Sequence, residues 1–217
     1  MKIAVIDYDI GNVKSILNAL SNVGVESILT RDEEILLNSD GVVLPGVGAF
    51  SHGMDNLKKY NLIDIINNYI ATNKPFLGIC LGMQLLLEKS EEFGLSKGLG
   101  IINGTVKKLI VKHPDYQNLP HVSWNELHPH SIPWEETILD GVKTASDVYF
   151  VHSYVAQVEN NNNILSCTTY SDNTFCSAVK KDNVYGVQFH PEKSGDIGLH
   201  IIKKFVNICD SIRNKGI

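Results

Sequence analysis

The feature that most restricts the fold of this chain is a short apolar segment that ends in a glycine-flanked cysteine. Residues 75–84 read Pro-Phe-Leu-Gly-Ile-Cys-Leu-Gly-Met-Gln, which predicts a strand, a sharp turn and the start of a helix. Gly78 and Gly82 lack Cβ and so permit the tight backbone of such a turn. The turn lifts Cys80 out of the sheet to a helix N-terminus, where the thiolate is favoured over the thiol. This pattern predicts a reactive cysteine, although a lone cysteine is also commonly a small buried apolar residue.

A second segment favours the reactive interpretation. Residues 185–194 read Tyr-Gly-Val-Gln-Phe-His-Pro-Glu-Lys-Ser, and Pro191 ends a strand directly after His190. An imidazole at a strand end, followed two residues later by the carboxylate of Glu192, has the parts of a general base with its orienting partner. The two segments together predict a catalytic triad of Cys80, His190 and Glu192.

The spacing of apolar residues predicts one α/β domain over residues 1–217. We expect strands at residues 2–7, 25–29, 41–44 and 75–79, with helices around residues 13–20 and 62–70 between them. This alternation implies parallel strands joined by right-handed crossovers, in a mostly parallel central sheet flanked by helices. The second half predicts additional antiparallel strands at residues 105–111, 147–155, 164–170, 174–180 and 184–189, a loop at 160–163 and a final amphipathic helix.

Composition excludes several other classes of protein. No apolar run approaches the roughly 20 residues that span a bilayer, and the first residues lack the features of a signal peptide. The net charge of −5 argues against broad nucleic-acid binding. The four cysteines have neither disulfide-framework nor zinc-site spacing. We therefore expect a cytoplasmic enzyme that uses no metal or other cofactor and binds neither nucleic acid nor membrane.

The ordered motifs resemble those of the class I, or triad, glutamine amidotransferases, a family with a flavodoxin-like fold. The glycine-flanked cysteine and the His-Pro-Glu segment are shared throughout that family. Three narrower motifs are Leu-Pro-Gly-Val-Gly-Ala-Phe at residues 44–50, Phe-Val-His-Ser-Tyr at 150–154 and His-Pro-Glu-Lys-Ser at 190–194. These are similar to the glutaminase subunits of imidazole glycerol phosphate synthase, from histidine biosynthesis, or of a close paralogue.

The resemblance implies an enzyme that hydrolyses L-glutamine to glutamate and ammonia. It assigns the oxyanion hole to the backbone N–H groups of Leu81 and Val47. It assigns substrate contacts to four residues: Gly48, Gln84, Ser153 and Tyr154. Without the resemblance, the glycine-rich segment would be an ordinary turn after a strand, and residues 153–154 a strand end with half-buried polar tips. The sequence does not indicate which groups bind the α-amino and α-carboxylate groups of glutamine.

The resemblance also implies a partner, a (β/α)8-barrel synthase subunit that forms a heterodimer with this chain and receives the ammonia. Docking is expected to activate the glutaminase by completing the oxyanion hole. The interface is expected at five positions: Asn12, His121, Trp124, Tyr149 and Lys193. Asp9, Ile10, Asn103 and Ser123 depart from the family pattern. These departures leave open a paralogue that supplies ammonia for amidino groups on surface-glycan sugars.

Other interpretations use the same residues differently. A cysteine peptidase or γ-glutamyl hydrolase would share the Cys-His pair, and a non-catalytic scaffold would need neither residue. Three histidines, His121, His128 and His130, match no metal-ligand spacing, and the intervening proline predicts an irregular loop with surface histidines. The remaining cysteines are predicted to lie in the core: Cys167, Cys176 and Cys209.

Overall fold

The computed structural model describes residues 1–111 and 118–216 of the chain. Helices and strands alternate in the first half of this part, and strands predominate afterwards. The strands β1 to β13 are Ile3–Ile6, Ser27–Thr30, Gly41–Leu44, Phe76–Ile79, Leu87–Ser90, Ser96–Lys97, Ile102–Lys108, His121–Pro129, Ser146–His152, Tyr154–Val158, Ile164–Tyr170, Asn173–Lys181 and Val184–Val187. The helices α1 to α6 are Val13–Asn22, Glu33–Leu37, Phe50–Lys59, Leu62–Ala71, Leu81–Leu85 and Gly195–Asn214.

Parallel strands form the centre of the sheet, in the order β2-β1-β3-β4-β13. All residues of β1, β3, β4 and β13 are buried, which is typical of parallel strands covered by helices on both faces. Successive side chains point to opposite faces, so Val43 packs in one apolar core and Val42 in the other. This arrangement confirms the predicted α/β domain with a parallel central sheet.

Helices cover both faces of these strands. On one face, α1 and α6 contribute Ile16 and Phe205 to the same core as Val43. On the other face, Leu57 of α3, Ile66 of α4 and residues of α5 pack around Val42. The apolar residues of α4 recur at helical spacing, which explains why the sequence predicts this helix closely.

The second half extends the sheet with antiparallel strands, as predicted. β12 pairs with β13 and with β10, and β10 pairs with β7. β11 pairs with both β12 and β8, and β8 pairs with β9 over seven positions. The ribbon formed by β8 and β9 brings residues 121–127 alongside residues 146–152.

Several predictions for the second half are wrong in detail. The strand expected at residues 147–155 is interrupted at Ser153, which separates β9 from β10. Residues 121–129, expected in an irregular loop, form the regular strand β8. The loop expected at residues 160–163 contains a short 3-10 turn over Asn161–Asn163. In each case a hydrogen-bonding partner distant in sequence, or a local turn, overrides the pattern of residue types.

The structure also corrects the prediction of surface histidines. His128 and His130 are exposed, but His121 has a relative exposure of 0% because β8 turns it into the apolar core. Of the cysteines predicted in the core, Cys176 and Cys209 are buried and Cys167 is half-buried. None of the helices in the described ranges is long and apolar enough to cross a membrane.

The approach of α5 to the sheet depends on glycine. A Cβ atom at Gly82 would lie 1.8 Å from the carbonyl oxygen of Leu44, at the end of β3. A Cβ atom at Gly78 in β4 would lie 2.7 Å from the carbonyl carbon of Gly82. Backbone cannot yield as a flexible side chain can, so any other residue at these positions would push α5 away from the strands.

We therefore expect Gly82→Ala to destabilise the fold by about 3 kcal/mol or more, because the added methyl overlaps backbone. Gly24→Ala is the control: Gly24 has a positive φ, but a Cβ there would meet nothing within 4 Å, so the cost should be only about 1 kcal/mol. Urea denaturation followed by circular dichroism measures both values. Equal stability losses in the two variants would contradict the proposed packing.

Candidate active site

Cys80 occupies a constrained turn between β4 and α5. Its backbone has φ 53° and ψ −107°, a region that L-residues rarely occupy and that costs of order 1–3 kcal/mol. Two hydrogen bonds hold the turn: the N–H of Cys80 donates to the carbonyl of Val187 (2.7 Å), and the N–H of Gln84 donates to the carbonyl of Cys80 (3.1 Å). Contacts with the neighbouring strand and the following helix therefore hold the unfavourable backbone conformation of Cys80 in place.

His190 and Glu192 form a buried pair at the end of β13. The chain turns through a short 3-10 segment at Pro191–Lys193, which directs the Glu192 side chain back toward the imidazole. Nδ1 of His190 lies 2.8 Å from Oε1 of Glu192, and the two side chains are only 3% and 5% exposed. The N–H of His190 donates to the carbonyl of Tyr149 at 2.9 Å, which fixes the base of the side chain.

The surroundings of His190 favour its protonated form. Burial by itself lowers the pKa of this imidazole, but the adjacent Cys80 and Glu192 outweigh burial and raise the pKa to about 9. The Nε2 atom is buried and has no hydrogen-bond partner within the described residues. His190 therefore holds a proton on Nε2 near neutral pH, which it can pass to a leaving group.

The sulfur of Cys80 has its own set of weak contacts. Sγ lies 3.9 Å from the carbonyl oxygen of Val151 and 3.7 Å from the side-chain Nε2 of Gln188. Cys80 contacts the imidazole closely enough to raise the pKa of His190, but this contact falls short of ordinary hydrogen-bond geometry at Nε2 within the described part of the chain. The nucleophile and the base are close but not yet in direct hydrogen-bonding geometry.

A cleft of about 500 Å³ opens beside Cys80. The structure brings the predicted nucleophile, both predicted oxyanion residues and all four predicted substrate contacts to its wall: Val47, Gly48, Cys80, Leu81, Gln84, Ser153 and Tyr154. Gly48 has a φ of 118° and open space where a Cβ would stand, so the absence of a side chain there keeps the cleft open. Gln84 is buried, and its Nε2 donates to the carbonyl of Tyr154 at 3.0 Å.

One proposed oxyanion donor is occupied. The N–H of Leu81 donates to the carbonyl of Gly46 at 3.3 Å, so it does not face an empty position beside Sγ. Val47 is 42% exposed at the mouth of the cleft. The segment between β3 and α3 must change its backbone orientation before Leu81 can donate to a substrate oxygen.

Two polar residues at the cleft were missed in the sequence. Glu92 is buried to 9% exposure, and its Oε2 accepts the N–H of Phe50 at 2.7 Å. It lines the same cleft as Gln84, where its carboxylate can meet a substrate ammonium. Gln188 immediately follows β13 and reaches both Gln84 and Cys80. Nothing distinguishes Glu92 from its neighbour Glu91 along the chain, whereas the position of Gln188 two residues before His190 is a signal that could have been used.

The residues predicted to face a partner fall into two groups. Trp124 is 51% exposed and its ring meets that of Tyr149 edge to face, with centroids 6.0 Å apart. Lys193 Nζ lies 5.8 Å from the centre of the Tyr149 ring, and Asn12 lines a small cavity beside His190 and Glu192. His121, in contrast, has no accessible surface, so it cannot contact a partner directly.

No group of three or more histidine, cysteine, aspartate or glutamate residues is placed to hold a metal ion within the described ranges. The chemistry available at the cleft is instead that of a thiol, an imidazole and a carboxylate. Together they can form and hydrolyse a covalent thioester.

Residues 4–209 match a family model described as "Glutamine amidotransferase class-I". The chain is 44% identical over 209 residues to imidazole glycerol phosphate synthase subunit HisH of Bacillus cereus, with 96% of each chain covered. It is 42% identical over 210 residues to subunit HisH 1 of that synthase in Legionella pneumophila, with 95% of this chain and 99% of the relative covered.

Solved structures show the same fold. A putative GMP synthase component of Thermoplasma acidophilum superposes with a TM-score of 0.72 at 22% identity, covering 100% of this chain and 97% of that chain. The glutaminase domain of a Trypanosoma brucei CTPS with bound acivicin has a TM-score of 0.67 at 16% identity, covering 97% of this chain and 94% of that one.

The electrostatics of His190 predict a pH-dependent contribution to stability. Its folded pKa of about 9 exceeds the unfolded value of about 6.5. The stabilisation is therefore complete below the unfolded value and is lost as pH rises through about 9. We expect the imidazole to titrate near pH 9, and at lower pH in Glu192→Gln, because the carboxylate that favours the imidazolium is removed.

A ¹⁵N NMR titration of histidine-labelled protein measures both midpoints. Urea denaturation at about pH 6 and about pH 10 checks the sign of the linkage: the stability deficit of Glu192→Gln should be larger at the lower pH. The same deficit at both values would contradict the inferred charge state.

Proposed function

The chain belongs to the class I glutamine amidotransferases, and we propose that it is the glutaminase subunit of an imidazole glycerol phosphate synthase. The observation that carries this proposal is that Cys80, which lines the cleft, lies close enough to the buried His190–Glu192 pair to raise the pKa of the imidazole. Full-length similarity at 42–44% identity to HisH subunits supports the choice of pathway.

The proposed reaction begins with attack of Sγ of Cys80 on the carboxamide carbon of L-glutamine. The thiol proton rests on Nε2 of His190, because the raised pKa keeps that imidazole protonated near neutral pH, and Sγ attacks as the thiolate. The protonated imidazole then donates that proton to the departing nitrogen, and ammonia and a γ-glutamyl thioester are formed. Water attacks the thioester with His190 as base, which releases glutamate and restores the thiol. Glu192 holds the imidazole in the required orientation throughout.

The cleft supplies groups that match the ends of the substrate. We assign the glutamine ammonium to the carboxylate of Glu92, which is the acidic side chain among the residues that line the cleft. Gln84, Gly48, Ser153 and Tyr154 form the rest of the surface around the substrate. A cleft of about 500 Å³ with an acidic side chain to meet the ammonium suits a free amino acid, so we favour amidotransfer over peptidase activity.

Ammonia released to water would be protonated and lost as a nucleophile, so the product requires a protected route. We propose that a (β/α)8-barrel synthase subunit docks on the side formed by Trp124, Tyr149, Lys193 and Asn12, and uses the ammonia to make imidazole glycerol phosphate and AICAR. The whole chain, residues 1–217, would act as one amidotransferase domain. A thiol nucleophile requires reducing conditions, which supports a cytoplasmic location, and the reaction as written needs no cofactor.

Replacing the nucleophile tests the function and the pathway together. With the barrel subunit present, Cys80→Ala should lower glutamine hydrolysis by about 10⁴-fold or more, because the residual rate lacks covalent catalysis. The wild-type chain should restore growth without histidine to a strain lacking its own glutaminase subunit, and Cys80→Ala should not. Glutamine hydrolysis without restored growth would instead favour the surface-glycan paralogue. Failure of a glutamine-derived chloroketone to label Cys80 would contradict amidotransfer.

The occupied Leu81 donor predicts dependence on the partner. The isolated chain should hydrolyse glutamine very slowly, because one oxyanion donor is engaged by the Gly46 carbonyl. Docking of the barrel should raise kcat by about 10²–10³-fold, the usual effect of one such donor. Steady-state assays with and without the barrel subunit measure the ratio. Fast turnover by the chain alone would overturn the activation proposal and leave the triad intact.

A further inference from the structure

Two buried histidines beside the cleft are not members of the triad. His121 on β8 and His152 on β9 are 0% and 6% exposed. Their rings are joined by a contact of 3.0 Å between Nδ1 of His121 and Nε2 of His152. Nδ1 of His152 lies 3.0 Å from the carbonyl oxygen of Tyr154. Three of the four ring nitrogens of this pair therefore take part in a line of hydrogen bonds that ends at the Tyr154 carbonyl.

The Tyr154 carbonyl fixes the direction of these hydrogen bonds. A carbonyl oxygen can only accept, so Nδ1 of His152 must carry a proton. Burial lowers the pKa of His152 to about 3, helped by the neighbouring His121, and burial also lowers the pKa of His121. Both rings are therefore neutral. Nε2 of His152 must then accept, and Nδ1 of His121 must donate to it.

Ser123 stands at the far end of this line. Nε2 of His121 must accept a proton, and it faces Oγ of Ser123 at 2.9 Å and Oδ1 of Asn125 at 2.7 Å. The Ser123 hydroxyl can donate, and its single proton is shared between Nε2 of His121 and Oδ1 of Asn125, which lies 2.5 Å from Oγ.

From the Tyr154 carbonyl, the polar contacts continue to the proposed nucleophile. The Tyr154 carbonyl also accepts from Nε2 of Gln84 at 3.0 Å. The same Nε2 donates to Oε1 of Gln188 at 3.0 Å. Nε2 of Gln188 is 3.7 Å from Sγ of Cys80. An unbroken series of polar contacts thus runs from Ser123, next to the exposed Trp124, to the reactive sulfur.

Aromatic packing holds the histidines in place. The His121 ring stacks on Tyr170, with centroids 3.9 Å apart, and on Phe150, at 5.1 Å. Phe175 meets His152 edge to face at 5.0 Å. With the rings confined, the position of each hydrogen-bonding group in the series depends on the position of its neighbours.

We propose that Ser123, His121 and His152 are positioning residues that orient the amides of Gln84 and Gln188 around Sγ of Cys80. This relay connects the strand that carries Trp124 with the reacting atom. It rests on the proposed function, since it concerns the same nucleophile. The relay acts through Gln84 and Gln188; of its three members, His152 also lines the cleft, whereas Ser123 and His121 do not.

The tautomers provide a test that does not depend on turnover. In ¹⁵N NMR spectra of histidine-labelled protein, His121 and His152 should both be protonated at Nδ1 and bare at Nε2. Ser123→Ala should alter the Nε2 signal of His121, because its donor is lost. Thr174→Val removes an exposed hydroxyl contact with Thr169 (2.9 Å) and should alter the ¹⁵N signals of neither histidine. A proton on Nε2 of His152 in the wild type would overturn the proposal.

Activity tests the positioning itself. In His152→Asn the amide nitrogen replaces Nδ1 as donor to Tyr154, whereas His152→Leu keeps the apolar packing without the donor. We expect kcat/KM for glutamine, with the barrel subunit present, to fall about threefold for His152→Asn, about tenfold for His152→Leu and about threefold for Ser123→Ala. Thr174→Val should match the wild type.

Unfolding measurements separate positioning from packing. A buried leucine packed against Phe150 and Phe175 should make His152→Leu more stable than His152→Asn. The order of activity should be the reverse, with His152→Asn the more active variant. Activity that follows stability would overturn the relay. If the wild-type complex itself releases no glutamate, the proposed function fails, and the tautomer measurement still decides whether the hydrogen-bond line exists.

Discussion

The parallel pairing of β4 with β13 is the contact on which the site depends. Ile79 lies opposite Val187 at the last position of this pairing, so both strands end at the same edge of the sheet. Cys80 follows one strand, and residues 188–192 follow the other. The hydrogen bond from the N–H of Cys80 to the carbonyl of Val187 closes the junction and supports the unfavourable backbone of the cysteine. Two segments far apart in sequence are thereby brought to the same edge of the sheet.

The packing of α5 makes this junction rigid. Glycine at 78 and 82 allows the helix to approach the strands within distances that exclude a Cβ atom. A helix held this closely cannot move to relieve the strain at Cys80, so the thiol stays at the mouth of the cleft. The segment after β3 differs, because its Gly46 carbonyl accepts the N–H of Leu81 and must turn away before that N–H can bind a substrate. The proposed nucleophile is in place while one proposed oxyanion donor is engaged, which is the arrangement that activation by a partner would require.

The buried polar groups near the cleft form two hydrogen-bonded groups. His190 and Glu192 pair with each other, and the His121–His152 pair leads through Gln84 and Gln188 to the sulfur. An unpaired polar group in such surroundings is costly, so these side chains restrict one another to few arrangements. The exposed Trp124 and its neighbour Tyr149 border both groups. A protein that docks on these rings would therefore contact the surroundings of the base and the beginning of the relay.

Local patterns in the sequence determined the central strands, α4, the cysteine turn and the identity of the triad candidates, because these depend on short-range periodicity and on glycine and proline. The tertiary structure decided what local patterns do not contain. Pairing with β9 makes a strand of residues 121–129 and buries His121. Folding of the chain across the sheet places Glu92 in the cleft and Gly46 against Leu81. These are contacts between residues distant in sequence, and their formation depends on the packing of the whole sheet rather than on any single segment.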